Sequence, residues 1–259
     1  MYFVYNIFLY IVFLLSPIIF SVRLLNGKED PKRFKEKLCI YSRKNNLKSI
    51  WFHAVSVGEL MSIIPVLKIL EKNRKIDQII VTTSTISSAK IFKKQKFKNI
   101  VHKYFPIDAN FLNKKFIKYW KPQAAFFVDS EIWPNMFRNL KNNNIPVILL
   151  NGRITKRSFK RWSLVKNFSK SVFKNISLVL SSNSETKNFL KKLGVNKIKL
   201  IGNLKYFGLS HIKNKDAKFL KNKFKNFKVW CAASTHEGEE IIISKLHKNI
   251  KRKQKKLLT

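Results

Sequence analysis

The segment W-F-H-A-V-S-V-G-E, residues 51–59, holds the first side chains whose types and spacing could do chemistry. An apolar strand ends there at Ser56 and Gly58, and Glu59 opens a helical pattern. The helix macrodipole favours an ionised carboxylate at this position, so Glu59 could act as a base beside the small Gly58. The alternative is an ordinary first-turn glutamate that stabilises the helix end. His53 by itself is predicted to be a buried core histidine.

The segment F-F-V-D-S-E-I-W-P-N, residues 126–135, places two carboxylates after another apolar strand. Carboxylates such as Asp129 and Glu131 are costly at the end of a buried strand unless they are hydrogen-bonded or used in function. An alternative that fits the local pattern equally well is capping of the next helix by Asp129 or Ser130, with Glu131 in its first turn.

Polar and cationic side chains follow three further strands. Asn151 and Arg153 belong to N-G-R, and Lys205 ends G-N-L-K. Such amide, guanidinium and ammonium groups suit a phosphate or carboxylate ligand, although one lysine among so many could equally lie on a solvated surface. In A-S-T-H-E-G-E-E, residues 233–240, hydroxyls again precede a helix start, which is a potential anion site.

The apolar runs of the sequence predict the strands and helices that position the candidate residues. Runs at intervals of about 25 residues, each followed by a helical stretch, predict an α/β fold with a parallel sheet. Ligands of open α/β sheets bind at the carboxyl ends of the strands, where these polar residues are expected. No dinucleotide-binding or P-loop glycine motif is present in the sequence. Strands are predicted at 49–55, 78–83, 100–104, 123–128, 146–150, 177–180, 197–201 and 228–233.

The first 22 residues carry no charged side chain and predict a membrane helix. A helix of this length is about 33 Å long, which is enough to cross a bilayer. The basic start and cleavage site of a signal peptide are not visible. Basic residues follow over 23–37, so the positive-inside rule places the rest of the chain in the cytoplasm. The alternative, which Pro17 supports, is a hydrophobic helix that lies in the membrane interface.

The composition favours a polyanionic partner without selecting one. The 53 Lys and Arg residues against 14 Asp and Glu give a formal charge of +39. Nucleic acid, an anionic membrane surface and a phosphorylated substrate would all fit, and a general lysine bias is the alternative explanation. Cys39 and Cys231 are far apart and the histidines form no metal-binding array, so we expect a reducing compartment and no metal site.

Seven motifs in this order resemble the family of 3-deoxy-D-manno-octulosonic acid (Kdo) transferases, from the N-terminus to about Glu240. The resemblance implies a GT-B glycosyltransferase that needs no metal, works at the cytoplasmic face of the inner membrane, and uses CMP-Kdo and a lipid A precursor. It implies a membrane anchor helix at 1–22, a Rossmann-like acceptor-binding domain at 23–209, a linker at 210–227 and an incomplete donor-binding domain at 228–259. The motifs are H-A-V-S-V-G-E, T-T-S-T-I-S-S-A, F-P-I-D, V-D-S-E-I-W-P-N, N-G-R-I-T-K-R-S, G-N-L-K-Y and A-S-T-H-E-G-E-E.

The resemblance also implies roles for single residues. The general base of the family falls on Glu59, which would take the proton of the acceptor hydroxyl in an inverting displacement. The transition-state stabilisers fall on Asp129 and Lys205, with Glu131 as the fallback carboxylate. The residues expected to contact substrate are Ser56, Gly58, Asn151, Arg153, Ser234, Thr235, His236 and Glu239.

The sequence departs from the family pattern in three places. Asp129 stands where the family usually has Glu, and Ile-Ser-Ser at 86–88 replaces Pro-Thr-Gly. After Glu240 we expect one basic helix to about Leu257, whereas a complete second domain needs on the order of 100 to 150 further residues. One alternative is therefore a truncated, non-catalytic, membrane-bound domain that binds only the acceptor lipid. The other is a nucleic-acid binder, suggested by charge alone; the carboxylates argue against it, so we expect no nucleic-acid partner.

Overall fold

The computed structural model describes residues 1–41, 45–206 and 214–259, and the chain divides into two compact units, Met1–Leu209 and Ser210–Thr259. The first unit is built on seven parallel strands with the order β3-β2-β1-β4-β5-β6-β7 across the sheet. The strands are β1 (Ser49–His53), β2 (Gln78–Thr83), β3 (Ile100–Tyr104), β4 (Pro122–Val128), β5 (Val147–Gly152), β6 (Leu178–Ser181) and β7 (Ile198–Leu200).

Helices connect these strands and cover both faces of the sheet, as parallel strands require. They are α1 (Tyr2–Leu14), α2 (Ser16–Leu25), α3 (Val57–Leu70), α4 (Ile86–Lys94), α5 (Asn110–Trp120), α6 (Pro134–Asn142), α7 (Lys156–Leu164), α8 (Lys166–Phe173) and α9 (Ser184–Leu193). The α/β class predicted from the apolar runs is confirmed. Each of the seven predicted strands of this unit is present, with ends within two residues of the prediction.

The core lies on both sides of the sheet because successive strand residues point to opposite faces. Trp51 and Phe127 belong to one buried cluster, on the side where α5 and α6 pack. Their neighbours Phe52 and Val128 belong to a second cluster, together with Leu60 of α3. Burial on both faces is why these strands read as continuous apolar runs rather than as an alternating pattern.

The strand order changes direction at β1, which lies between β2 and β4. In an open α/β sheet, the loops at the carboxyl ends on either side of such a switch point form a crevice where ligands bind. Here those loops are residues 54–56, which lead into α3, and residues 129–133, which lead into α6. The fold therefore brings two of the predicted chemical segments to adjacent strands.

The predicted single helix over residues 1–22 is wrong, because the segment forms two helices. Helices α1 and α2 meet at a bend of 53°. Pro17 explains the break, since proline has no N–H to donate to Phe13 and its ring crowds that carbonyl. Among the described residues, no single helix has the length and apolarity to cross a membrane, and the bent pair meets that criterion only when both helices are counted together.

The second unit contains helix α10 (Asn214–Lys223), strand β8 (Lys228–Val229), helix α11 (Glu239–Lys253) and strand β9 (Leu257–Leu258). Residues 210–213 of the predicted linker lie outside the described residues. The strand predicted at 228–233 is only two residues long, because only the short β9 pairs with it. The basic helix predicted to reach about Leu257 ends at Lys253, and Leu257 instead belongs to β9.

Candidate active site

Glu59 occupies the first turn of α3 and forms a capping box with Ser56, the N-cap residue. Its Oε2 accepts hydrogen bonds from the backbone N–H groups of Val55 at 2.7 Å and Ser56 at 3.4 Å. Its Oε1 accepts from the Ser56 hydroxyl at 2.9 Å. A carboxylate has about four lone-pair positions, so one position on Oε1 remains for a further donor. Glu59 therefore does stabilise the helix start, as the alternative predicted. The remaining lone-pair position still allows it to act as a base.

Gly58 lies beside this carboxylate and is exposed. A Cβ built on Gly58 would meet no heavy atom within 4 Å. The sequence predicts that a small residue here leaves room for a substrate. The space is present, and it is wide enough that an alanine would also fit.

Asp129 and Lys205 come together although they are far apart in sequence. The Lys205 ammonium lies 3.5 Å from Asp129 Oδ2. Asp129 follows β4 with a left-handed backbone (φ 64°), a conformation that Asp tolerates better than most residues. Its other oxygen, Oδ1, is buried and accepts no hydrogen bond from a described residue. The pair therefore places a partly exposed cation beside a largely buried carboxylate at the sheet edge.

Asn151 holds the segment that carries Lys205. It is buried with a left-handed backbone (φ 56°), and its Oδ1 accepts a hydrogen bond from Leu204 N at 3.0 Å. Arg153 is exposed, and its backbone N–H donates to Asp129 O at 3.3 Å. The predicted residues Asp129, Asn151, Arg153 and Lys205 thus form one group at the carboxyl ends of β4 and β5.

His53 and Glu131 link the loops after β1 and β4. His53 is fully buried, and its ring stacks on Phe105 with centroids 3.9 Å apart. Its Nε2 lies 3.7 Å from Glu131 Oε2 and has no hydrogen-bond partner among the described residues. Glu131 Oε2 also accepts from Trp133 Nε1 at 3.0 Å. His53 is a core residue, as predicted, yet it also contacts a site carboxylate, which local sequence did not indicate.

Asp108 is a buried carboxylate that connects α1, α5 and α6, and the sequence did not single it out. It is only 1% exposed, and its carboxylate accepts hydrogen bonds from the Tyr5 hydroxyl, Asn113 Nδ2 and the backbone N–H groups of Asn135 and Met136. Burial raises its pKa to about 6, although these hydrogen bonds pull the pKa down. The available signal was its position in F-P-I-D, directly after β3.

The predicted residues of the second unit lie around the start of α11. His236 N donates to Glu239 Oε2 at 2.9 Å, and Thr235 donates to Glu240 Oε1 at 2.7 Å, which lowers the pKa of Glu240. Ser234 has a left-handed backbone (φ 60°). The chain's own carboxylates therefore occupy donors at the place where the sequence predicts an anion site.

The described side chains at the sheet edge offer the parts of an acid–base and charge-stabilising site. Glu59 supplies a carboxylate with one free lone-pair position, and Lys205 supplies a cation held by Asp129. Within the described ranges, no group of three His, Cys, Asp or Glu side chains is placed to hold a metal ion.

A comparison with protein families finds one match over most of the first unit. The family described as 3-deoxy-D-manno-octulosonic-acid transferase (kdotransferase) matches residues 32–207. This range contains Glu59, Asp129 and Lys205.

Curated relatives extend the match along the chain. The chain is 34% identical to the 3-deoxy-D-manno-octulosonic acid transferase of Rickettsia bellii, over 95% of this chain and 60% of that protein. It is 32% identical to the probable mitochondrial enzyme of that name from Arabidopsis thaliana, over 95% of this chain and 58% of that protein. It is 30% identical to the transferase of that name from Haemophilus influenzae, over 81% of this chain and 50% of that protein. The chain thus spans about 60% or less of the length of these relatives.

Solved structures share the fold at low sequence identity. The UDP-GlcNAc 2-epimerase of Neisseria meningitidis aligns with a TM-score of 0.54 and 13% identity, over 82% of this chain and 64% of that one. A putative UDP-N-acetylglucosamine 2-epimerase from Listeria monocytogenes aligns with a TM-score of 0.57 and 11% identity, over 82% of this chain and 61% of that one. These neighbours are GT-B-like proteins, and at such identity the likeness concerns the fold alone.

Proposed function

This chain belongs to the Kdo transferase family, and we propose that it forms the acceptor-binding part of an enzyme that transfers Kdo from CMP-Kdo to a lipid A precursor. The observation that carries the proposal is the placement of Glu59 and of the Asp129–Lys205 pair after neighbouring strands at the switch point of the sheet. A base and a charge stabiliser on opposite sides of one crevice suit a displacement reaction.

Glu59 is the proposed general base. The acceptor hydroxyl gives its proton to the free lone-pair position on Glu59 Oε1, and its oxygen attacks the anomeric carbon of Kdo from the face opposite the phosphate. The bond from that carbon to the CMP phosphate oxygen breaks, and the configuration inverts. The hydrogen bonds from Val55 and Ser56 hold the carboxylate in place for this step.

Lys205 is the proposed stabiliser of the leaving group. CMP leaves as a phosphate monoester, so its departure needs neutralisation of negative charge more than protonation. The Lys205 ammonium meets that need, and Asp129 positions it at 3.5 Å. Asp129 contributes to this charge stabilisation through its pairing with Lys205, since its other oxygen, Oδ1, is buried. Glu131, paired with Trp133 and close to His53, remains the fallback carboxylate.

The finer organisation is also a proposal. We assign acceptor binding to residues 23–209 and the start of a CMP-Kdo-binding domain to residues 228–259, as in a two-domain GT-B enzyme. Exposed apolar side chains on α1 and α2, such as Phe3, Leu14 and Leu25, support attachment to the cytoplasmic face of an inner membrane. The basic residues that follow α2 suit its anionic surface.

A second candidate function is binding of the acceptor lipid without catalysis, and an exposed apolar surface of the second unit suits such a ligand. Ile242, Leu246 and Ile250 lie on one face of α11 and are exposed, although such a face is normally covered. In this alternative the second unit does not hold CMP-Kdo by itself.

Two measurements on the purified chain separate the candidates. Isothermal titration reports binding of CMP, and mass spectrometry reports Kdo transfer from CMP-Kdo to lipid IVA. Transfer by the chain alone contradicts the acceptor-only alternative. Binding of lipid IVA without CMP binding or transfer by this chain fits both candidates, and transfer by a fusion with the remaining part of a relative then favours the first. A chain that binds neither the lipid nor CMP contradicts both candidates.

A further inference from the structure

A cavity of about 510 Å³ lies between α4 and the edge strand β3, outside the group of predicted site residues. Its volume is within the range of small-molecule sites. Ala89, Phe92 and Phe97 give it an apolar floor, and the first residue of α4, Ile86, lines one end. An apolar floor of this kind suits a hydrocarbon chain better than a sugar.

The rim of this cavity is cationic. Lys90, Lys93 and Lys96 line it from α4 and the residues that follow, and all three are exposed. Arg33 lines the opposite side, and Asp30 is the only carboxylate among the lining residues. Cations around an apolar floor match a ligand that joins a hydrocarbon chain to a phosphate.

Arg33 is held in a fixed orientation with donors to spare. Its Nε donates to Glu36 Oε1 at 3.1 Å, and its Nη2 lies 2.9 Å from Glu36 Oε2 and from His102 O. Its Nη1 has no hydrogen-bond partner among the described residues. Because a guanidinium carries five N–H groups in a rigid plane, the two on Nη1 remain for a bound anion.

His102 is uncharged and lines the cavity beside Arg33. Arginine can only donate, so His102 Nδ1, which lies 2.9 Å from Arg33 Nη2, carries no proton, and the ring proton lies on Nε2, 2.9 Å from Thr83 Oγ1. Burial and the charges of Arg33 and Lys103 lower the pKa of His102 to about 3. The positive charge of the cavity therefore comes from Arg33 and the lysines.

The cavity is connected to the candidate base through α4. Ser88, in the first turn of α4, donates to Val55 O at 3.1 Å, and Val55 N donates to Glu59 at 2.7 Å. The end of the cavity lined by Ile86 is therefore close to the loop that holds Glu59. One lipid could place a sugar hydroxyl at Glu59 and its chain and phosphate in the cavity.

We propose that this cavity binds one acyl chain and the adjacent phosphate of the lipid acceptor. The identification of that lipid as the acceptor rests on the proposed function. The binding chemistry itself, a hydrocarbon chain on Phe92 and Phe97 and a phosphate on Arg33 and the lysines, does not depend on it.

The test is binding of monododecyl phosphate to the full 259-residue chain, measured by isothermal titration. Lys90→Glu with Lys93→Glu reverses two rim charges and is expected to weaken binding about tenfold. The matched control is Lys114→Glu with Lys118→Glu, which makes the same charge change on α5, in a separate basic cavity. The control is expected to bind within about twofold of the unchanged chain. Both pairs are surface lysines, and circular dichroism verifies that each variant is folded.

Two further probes separate the parts of the ligand. Inorganic phosphate and dodecyl maltoside should each bind more weakly than monododecyl phosphate, because each lacks one half of the ligand. The proposal is overturned if the two double lysine variants weaken binding of monododecyl phosphate equally. It is also overturned if inorganic phosphate binds as tightly as monododecyl phosphate. Failure of the transferase proposal is seen separately, in the transfer assay, and leaves the expected binding of monododecyl phosphate unchanged.

Discussion

At the residue scale, the candidate site depends on two side chains that adopt left-handed backbone conformations. Asp129 (φ 64°) follows β4 and Asn151 (φ 56°) lies at the end of β5. Such conformations carry an energetic cost for most residues and persist only where the surroundings hold them. Asn151 then fixes Leu204, and Asp129 pairs with Lys205.

The raised pKa of Asp108 should make the free energy of unfolding depend on pH. Its folded pKa of about 6 lies above the ordinary aspartate pKa of about 3.8, so the folded chain holds this proton more tightly than the unfolded chain. Stability from this group is therefore full at low pH and falls as the pH rises from about 4 to about 6, by up to about 3 kcal/mol. We expect Asp108→Asn to lack this fall in stability with rising pH. The measurement is the free energy of unfolding in urea between pH 4 and 7.

The control for this prediction is Asp77→Asn, which removes an exposed carboxylate of the same unit. Asp77→Asn should keep the pH dependence of the unchanged chain. If the Asp108→Asn and unchanged chains show a constant difference in unfolding free energy across this pH range, the burial effect assigned to Asp108 is contradicted.

The sequence predicted the positions of single candidate residues in the fold better than their contacts. A helix start near Glu59 followed from a local pattern, Ser56 and Gly58 before an apolar periodicity, and α3 begins two residues earlier, at Val57. The contact between His53 and Glu131 depends on β1 and β4 being neighbours in the sheet. Strand order is a property of the whole fold, so no spacing along the chain indicates that contact.

At the element scale, the N-terminal helices are packed against the sheet unit rather than extending away from it. Tyr5 of α1 donates to Asp108 at 2.8 Å, and Asn6 Oδ1 accepts from Asn135 Nδ2 at 2.7 Å. Phe13 contacts Phe111 edge-to-face. The apolar composition predicted a helix here, but Pro17 breaks it, and these polar contacts were not visible in the hydrophobicity pattern.

Tyr5→Phe tests this docking of α1. The variant removes one hydrogen bond to a buried carboxyl group, which should cost about 1.5–3 kcal/mol. We expect faster hydrogen exchange of the α1 amides, measured by mass spectrometry, because the loss acts mainly on this element. Tyr10→Phe is the matched control, since Tyr10 is exposed on the same helix. Equal exchange of α1 in the two variants would show that the Tyr5 hydroxyl does not hold the helix.

At the scale of the whole molecule, the charge of +39 and the exposed apolar faces of α1, α2 and α11 fit a protein that works on an anionic lipid at a surface. The sheet unit carries the proposed base and the proposed stabilising pair, and the relatives extend beyond the length that this chain matches. The full reaction can therefore be examined in a fusion, in which residues 1–227 are joined to the remaining part of the Rickettsia bellii relative.

The most direct test of the account is Kdo transfer by this fusion with Glu59→Gln, monitored as Kdo-lipid IVA by mass spectrometry. Glu185→Gln is the matched control, because it removes another first-turn glutamate of the same unit. We predict that Glu59→Gln lowers the transfer rate by at least about 100-fold while circular dichroism shows a folded protein, and that Glu185→Gln transfers at the unchanged rate. Transfer by the Glu59→Gln fusion at the rate of the Glu185→Gln control would contradict Glu59 as the base and the site built around it.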